Sequence, residues 1–171
     1  EDLLRSLKPR QRIFFQGGPG ECVTFFELLR DNPNLTAGLE LWSCLIPGIN
    51  TRDYGSIPGD ITLTTFMASP TLEPSITSGR TKLMAMPYSE IGALLSKTEF
   101  DVAILHTSPA NENGRYSFSL SCDMPSLVWP NARRCIAFVN KQMPWLDGAE
   151  SIPAEALDMV VPIDTPLLSA A

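Results

Sequence analysis

Asp101-Val-Ala-Ile-Leu-His106-Thr-Ser-Pro109-Ala-Asn-Glu-Asn-Gly114-Arg-Tyr-Ser-Phe-Ser-Leu-Ser121 is the stretch whose reading decides the fold. Val102 to Leu105 is an unbroken apolar run, as a strand buried on both faces of a sheet requires. Tyr116, Phe118 and Leu120 then alternate with Ser117, Ser119 and Ser121, the pattern of a strand buried on one face only. Asn113-Gly114 between them tolerates positive φ, so the chain can reverse there. A buried strand, a Ser108-Pro109 exit and a turn back along the sheet edge would make a rim where a ligand or partner could sit.

Working outward, Arg12 to Gln16 reads as a strand broken by Gly17-Gly18-Pro19-Gly20. A helix from Glu21 to Leu29 follows, with Val23, Phe26 and Leu29 on one face. Leu39 to Leu45, Ile61 to Phe66, Lys82 to Met86 and Cys135 to Asn140 are further strands. Pro47 to Gly59 has no periodicity and reads as a loop. Helices are expected before Pro9, over Pro70 to Ser78 with Gly79 as its stop, over Glu90 to Lys97 behind a Ser89 cap, and from Pro125 to about Ala132, shortened by Pro130. Met159 to Pro166 is extended and proline-broken. Strands alternating with short helices imply one domain over residues 1–171, a three-layer α/β sandwich with a mainly parallel sheet and the hairpin at its edge.

The composition permits a real core and narrows the partners. Of 171 residues 44% are hydrophobic, and the formal net charge is -6. That balance argues against nucleic acid or an anionic membrane surface as partner. Cys22, Cys44, Cys122 and Cys135 form no Cys-x-x-Cys pair and lie in or beside apolar segments, so they read as packed reduced thiols and not as disulfides or metal ligands. With a single histidine, a zinc site is not expected. No apolar run reaches the ~20 residues that span a bilayer. The chain opens on Glu1-Asp2 with no initiator Met and no basic-then-apolar leader, which leads us to expect a cytoplasmic piece of a longer protein.

Four places could carry chemistry. Gly17, Gly18 and Gly20 join a strand to a helix, where ligands bind in α/β sheets. The loop is neither a Gly-x-Gly-x-x-Gly fingerprint nor a Walker loop, and Glu21 at the helix start would repel a phosphate. A tight structural turn is the plainer reading. Glu112 beside Gly114 could be a nucleophile, but a hairpin tip offers nothing to desolvate or orient it, so a solvated acid is favoured. His106 ends the central strand without a nucleophile motif nearby and reads as a packed histidine. Asn140-Lys-Gln-Met143-Pro144 leaves a buried strand and could contact a polar substrate or be a plain loop.

Asp101 to Ser119 resembles the D-V-A…S-P…D-x-x-G-x-x-S-L signature of the acetyl-CoA hydrolase/transferase family, which includes 4-hydroxybutyrate CoA-transferases. Val139-Asn-Lys-Gln-Met-Pro144 is similar to that family's V-N-x-x-M-P, and Leu83-Met-Ala-Met-Pro-Tyr-Ser-Glu-Ile91 to its L-P-x-H-L-S-E-I. Gly17 to Gly20 sits where the family has a glycine-rich turn, although Gly-Pro-Gly is not the usual form. Phe118 and Phe138 also stand where smaller residues are usual, which leaves the substrate open.

The resemblance implies a CoA-transferase (NagB/RpiA-like) type fold and the N-terminal half of a longer enzyme. It also implies thioester chemistry through an acyl-glutamyl anhydride and a glutamyl-CoA thioester. The nucleophilic glutamate would come from the C-terminal half, so no catalytic residue is expected in this chain and Glu112 is not assigned that role. Coenzyme A, as the acyl-CoA substrate, would be bound mainly by that half, since this chain has no basic cluster for its phosphates. A small carboxylate would be the other substrate, and no metal would be used. Gly17, Gly18, Gly20, Ser108, Pro109, Asn140, Met143 and Pro144 would line the substrate side. The surface meant for the other half would drive self-association when left bare. Two alternatives stay open: a non-catalytic binding or assembly module of the same fold, and a sugar-phosphate isomerase of related fold, which the paucity of basic residues disfavours.

Overall fold

The computed structural model describes residues 1–168; the last three positions of the expected single domain lie outside them. After helix α1 (Asp2–Ser6) come strand β1 (Arg12–Phe15), helix α2 (Val23–Asp31), strands β2 (Leu39–Trp42) and β3 (Ile61–Thr65), helix α3 (Glu73–Thr77), strand β4 (Thr81–Leu83), helix α4 (Tyr88–Leu95) and strand β5 (Val102–Thr107). Strand β6 (Arg115–Ser117), helix α5 (Asp123–Val128), and strands β7 (Cys135–Asn140), β8 (Ser151–Pro153) and β9 (Met159–Ile163) complete the chain.

Seven strands form one parallel sheet in the order β4-β3-β2-β1-β5-β7-β9. The period of two along each strand feeds two cores. Ile13 and Phe15, Leu39 and Leu41, Ile61 and Leu63, Val102 and Ile104, and Ile136 and Phe138 pack on one face against α1, α2 and Tyr54. Phe14, Ala103, Leu105, Cys135 and Ala137 face the other way, against Ile91 and Leu95 of α4 and Met124 and Val128 of α5. The result is the expected three-layer, mainly parallel α/β architecture.

The hairpin needs correction. Gly114 does turn the chain at φ +68, and Ala110 bridges to Tyr116. However, β6 pairs antiparallel with β8 in a separate two-stranded sheet instead of extending the main one. The reason is positional: β5 has β1 and β7 on its two sides and offers no free edge. Nor does the alternation persist to Ser121. Ser119 takes φ +50, which swings Leu120 out to 43% exposure while Ser117 and Ser119 stay buried.

Smaller corrections follow the same logic of tertiary packing over local pattern. Helix α2 buries Phe25 and Leu29, where Val23, Phe26 and Leu29 were expected. Helix α4 starts at Tyr88 after Pro87, ahead of the expected Ser89 cap. The proline-broken tail is strand β9, paired with β7. Pro162 is tolerated there because an edge strand has backbone groups with no ladder partner.

Candidate functional site

Because the sheet is parallel, β1, β5 and β7 all end on one rim, beside the point between β1 and β5 where the strand order reverses. Open α/β sheets hold ligands at such a reversal. Three polar side chains sit there, each buried: Gln16, His106 and Asn140. Gln16 Oε1 accepts from the His106 amide at 2.9 Å, and its Nε2 donates to the Ser121 carbonyl at 2.8 Å.

His106 Nδ1 lies 3.2 Å from the Gly20 carbonyl, and Nε2 lies 3.1 Å from Asn140 Nδ2. A carbonyl can only accept, so the ring proton is on Nδ1 and Nε2 accepts from the amide. Burial pulls the His106 pKa down to about 4, against weaker support from the Gly20 and Glu21 backbone, so the ring is neutral at pH 7. Asn140 also donates to the Thr165 carbonyl at 2.9 Å and accepts from the Gln142 and Thr165 amides at 3.1 and 3.3 Å. Its amide is fully engaged in tying β7 to β5 and to the segment after β9.

The glycine loop is held from below. Asn50 Oδ1 accepts from the Gly18 and Ile46 amides at 2.9 and 2.7 Å, while Nδ2 donates to the Gly18 carbonyl at 2.9 Å and to Glu21 at 2.7 Å. The Glu21 carboxylate also accepts from the Tyr54 hydroxyl at 3.1 Å and lies 3.7 Å from Arg52. Burial, reinforced by the Glu21 charge, raises the Tyr54 hydroxyl well above its ordinary pKa. Glu21 is therefore turned into the core and paired there with Arg52, and is not displayed at the helix start as the sequence suggested. Gly17 packs closely against the chain just after β2: a Cβ there would stand 2.2 Å from the Cys44 carbonyl oxygen.

In front of the loop lies a cavity of about 300 Å³. It is lined by Gln16, Gly17, Gly18 and Pro19, by Cys44, Ile46 and Tyr88, and by the segment Leu120 to Pro125, whose Ser121 is hydrogen-bonded to Gln16 and Gly17. The lining is mostly apolar, and the Tyr88 hydroxyl donates to the Asp123 carboxylate across its mouth. Among the described residues no cysteine or serine of the lining is hydrogen-bonded to a carboxylate or an imidazole. Burial, with a smaller push from Asp123, raises the Cys44 thiol to about 11, and His106 is not among the lining residues. What remains is a container for a small apolar group.

Of the residues expected to line a site, Gly17 and Gly18 line this cavity. Gly20 supports it from behind, since a Cβ there would come within 2.4 Å of Gln16 Nε2. Ser108 is buried, its hydroxyl accepting from the Ser117 amide at 3.1 Å, and Pro109 is exposed. Asn140 and Met143 are buried and Pro144 exposed, outside the cavity lining. Glu112 is exposed, as a solvated hairpin acid should be. Sequence reasoning missed Ile46, Asn50, Tyr54, Tyr88 and the whole Leu120 to Pro125 wall. The one signal available was a polar Gln16 ending an apolar strand.

All four cysteines are free thiols. Among the described residues no group of three or more His, Cys, Asp or Glu side chains could hold a metal ion, and no helix is long and apolar enough to cross a membrane.

The sequence pattern of the acetyl-CoA hydrolase/transferase N-terminal domain matches residues 66–168. A 4-hydroxybutyrate coenzyme A transferase of Clostridium kluyveri is 24% identical over 170 residues, 98% of this chain and 40% of the relative. RipA from Yersinia pestis superposes with a TM-score of 0.82 at 19% identity, covering 98% of this chain and 42% of its own. A 4-hydroxybutyrate CoA-transferase from Porphyromonas gingivalis gives 0.67 at 23% identity, with 97% and 38% covered. The chain thus spans about 40% of the length of the curated relative it matches.

Proposed function

The chain belongs to the acetyl-CoA hydrolase/transferase N-terminal domain family, and from that premise we propose that it builds one wall of the acyl pocket of an acyl-CoA transferase or hydrolase and docks a catalytic second half. The observation that carries this reading is the cavity of about 300 Å³ at the strand ends, mostly apolar and lined by no glutamate. Apolar walls fixed on rigid strands can hold an acyl chain but cannot attack its thioester. A carboxylate from the second half attacks the thioester carbonyl and expels the CoA thiolate. The thiolate then attacks the resulting anhydride, leaving CoA on the enzyme carboxylate and releasing the acyl group as a free carboxylate. Transfer to a second small carboxylate reverses these steps, and water in its place gives hydrolysis. The relatives' names make 4-hydroxybutyrate the acceptor to try first.

No lysine or arginine lines the cavity and the chain is net -6, which supports CoA phosphate binding by the second half. Within this wall Gly17 and Gly18 touch the acyl group. Gly20 and Asn140 hold the loop and rim in place, and Pro109 and Pro144 form the outer rim toward the second half, supported from beneath by buried Ser108 and Met143. Leu120, Tyr88 and Leu127 are exposed around the cavity mouth and α5, an apolar surface suited to that half and, in its absence, to self-association. Four unpaired thiols accord with a cytoplasmic setting.

Cys122 supplies the test. It lines the cavity and is partly exposed, whereas Cys22, Cys44 and Cys135 are buried. In the full-length enzyme, saturating acyl-CoA is expected to slow iodoacetamide labelling of Cys122 at least about tenfold, since the acyl group excludes solvent from the cavity. Labelling of Cys122 at the same rate with and without acyl-CoA would contradict the reading.

A further inference from the structure

The charge of the cavity lining says which acyl groups it admits. Asp123, an exposed residue, is its sole charged residue, and neither Lys, Arg nor His is among the lining residues. Tyr88 occupies one carboxylate oxygen, and no ion pair to Asp123 exists among the described residues. Its field reaches the floor of the cavity, where it adds to the upward shift of the Cys44 thiol. Other polar side chains of the lining are neutral ones: the Gln16 amide, already committed to His106 and Ser121, and the Ser121 hydroxyl, directed at the Gly17 carbonyl at 3.4 Å.

We infer that Asp123 is a specificity-determining residue that excludes acyl groups ending in a carboxylate, so that this wall serves uncharged acyl chains. The inference rests on the acyl-pocket reading above and adds the substrate class to it. An acyl carboxylate entering the cavity would leave water for a site that offers it no cation and one like charge. Two like charges about 6 Å apart at an effective dielectric of about 40 disfavour binding roughly tenfold.

The test uses the full-length enzyme that carries this chain, with succinyl-CoA and 4-methylpentanoyl-CoA as donors. The two acyl groups have the same shape, with methyls in place of the carboxylate oxygens. The unaltered enzyme is expected to favour the neutral donor in kcat/KM by about tenfold or more. Asp123→Asn keeps an acceptor for Tyr88 and removes the charge, and should narrow the preference to within about threefold. Asp123→Ser, which also removes the charge and leaves a hydroxyl as acceptor for Tyr88, should move the ratio the same way and provides a second variant if the first folds poorly. Equal use of both donors by the unaltered enzyme, or a ratio unmoved in both variants, overturns the inference while leaving the acyl-pocket reading intact. Turnover of neither donor removes that reading, and this inference with it.

Discussion

At the scale of the residue, the sharpest constraint is Gly17. A methyl group there would lie 2.2 Å from a backbone oxygen of the neighbouring strand's exit, a contact that backbone can relieve only by moving. Gly17→Ala should cost about 2–4 kcal/mol in urea unfolding, as overpacking against immobile backbone does. Glu21 makes the complementary case. Its carboxylate is the shared partner of Asn50, Tyr54 and Arg52, so Glu21→Ala leaves three groups short of a partner and should cost about 3 kcal/mol in the same measurement. Neither Asn50 nor Tyr54 was legible as important in the sequence. Each lies in an aperiodic loop about 30 positions from its partner, and hydrogen bonds at that separation leave no local pattern. His106 was legible as a packed histidine because it closes an apolar run. Its pKa of about 4 lies below the value of 6.5 for an unperturbed ring, so the unfolded chain binds a proton between those pH values that the folded chain refuses. Stability therefore falls as pH drops from 6.5 toward 4, by up to about 1.4 kcal/mol per pH unit. Against a His106→Gln variant, which cannot titrate, the difference in unfolding free energy should change over that window; a constant difference would contradict the buried neutral ring.

At the scale of the element, the strands were the easiest features to read. Cys135–Asn140 is an apolar run bounded by polar residues, and a centrally buried parallel strand needs little more. Helix faces were harder. Which side of α2 turns inward is decided by Phe15 and Phe138 on the sheet, against which Phe25 packs, and not by the helix's own spacing. Helix α4 covers the opposite face through Ile91 and Leu95, both fully buried. Leu95→Ala should cost about 2–5 kcal/mol in denaturant unfolding, the range for a large core side chain whose site cannot collapse. A cost under about 1 kcal/mol would mean that this helix is not a structural layer. The segment Ser117 to Ser121 shows why the cavity escaped notice. Alternating hydrophobicity there reads as a strand, but with a positive φ at Ser119 the chain leaves that pattern, and Leu120 and Ser121 line the cavity with Gly17 and Gly18.

At the scale of the whole molecule, a three-layer sheet carries a preformed apolar cavity on its rim, beside exposed Leu120, Tyr88 and Leu127. An apolar surface next to an incomplete cavity favours a covering partner. Chain 1–171 on its own should self-associate in a concentration-dependent way by size-exclusion chromatography with light scattering, and a monomer at every concentration would count against that surface. The fold class was legible because strand and helix patterns alternate along the chain. The proposed division of labour between this chain and a second half comes from motif resemblance, and nothing in the periodicity or charge of these residues points to it by itself. The central claim is that these residues shape the acyl site while the reactive carboxylate comes from elsewhere. Thioester exchange measured with acetyl-CoA and 4-hydroxybutyrate on chain 1–171 alone and on the full-length enzyme tests it most directly. The account requires turnover only in the full-length enzyme, and exchange catalysed by chain 1–171 unaided would contradict it.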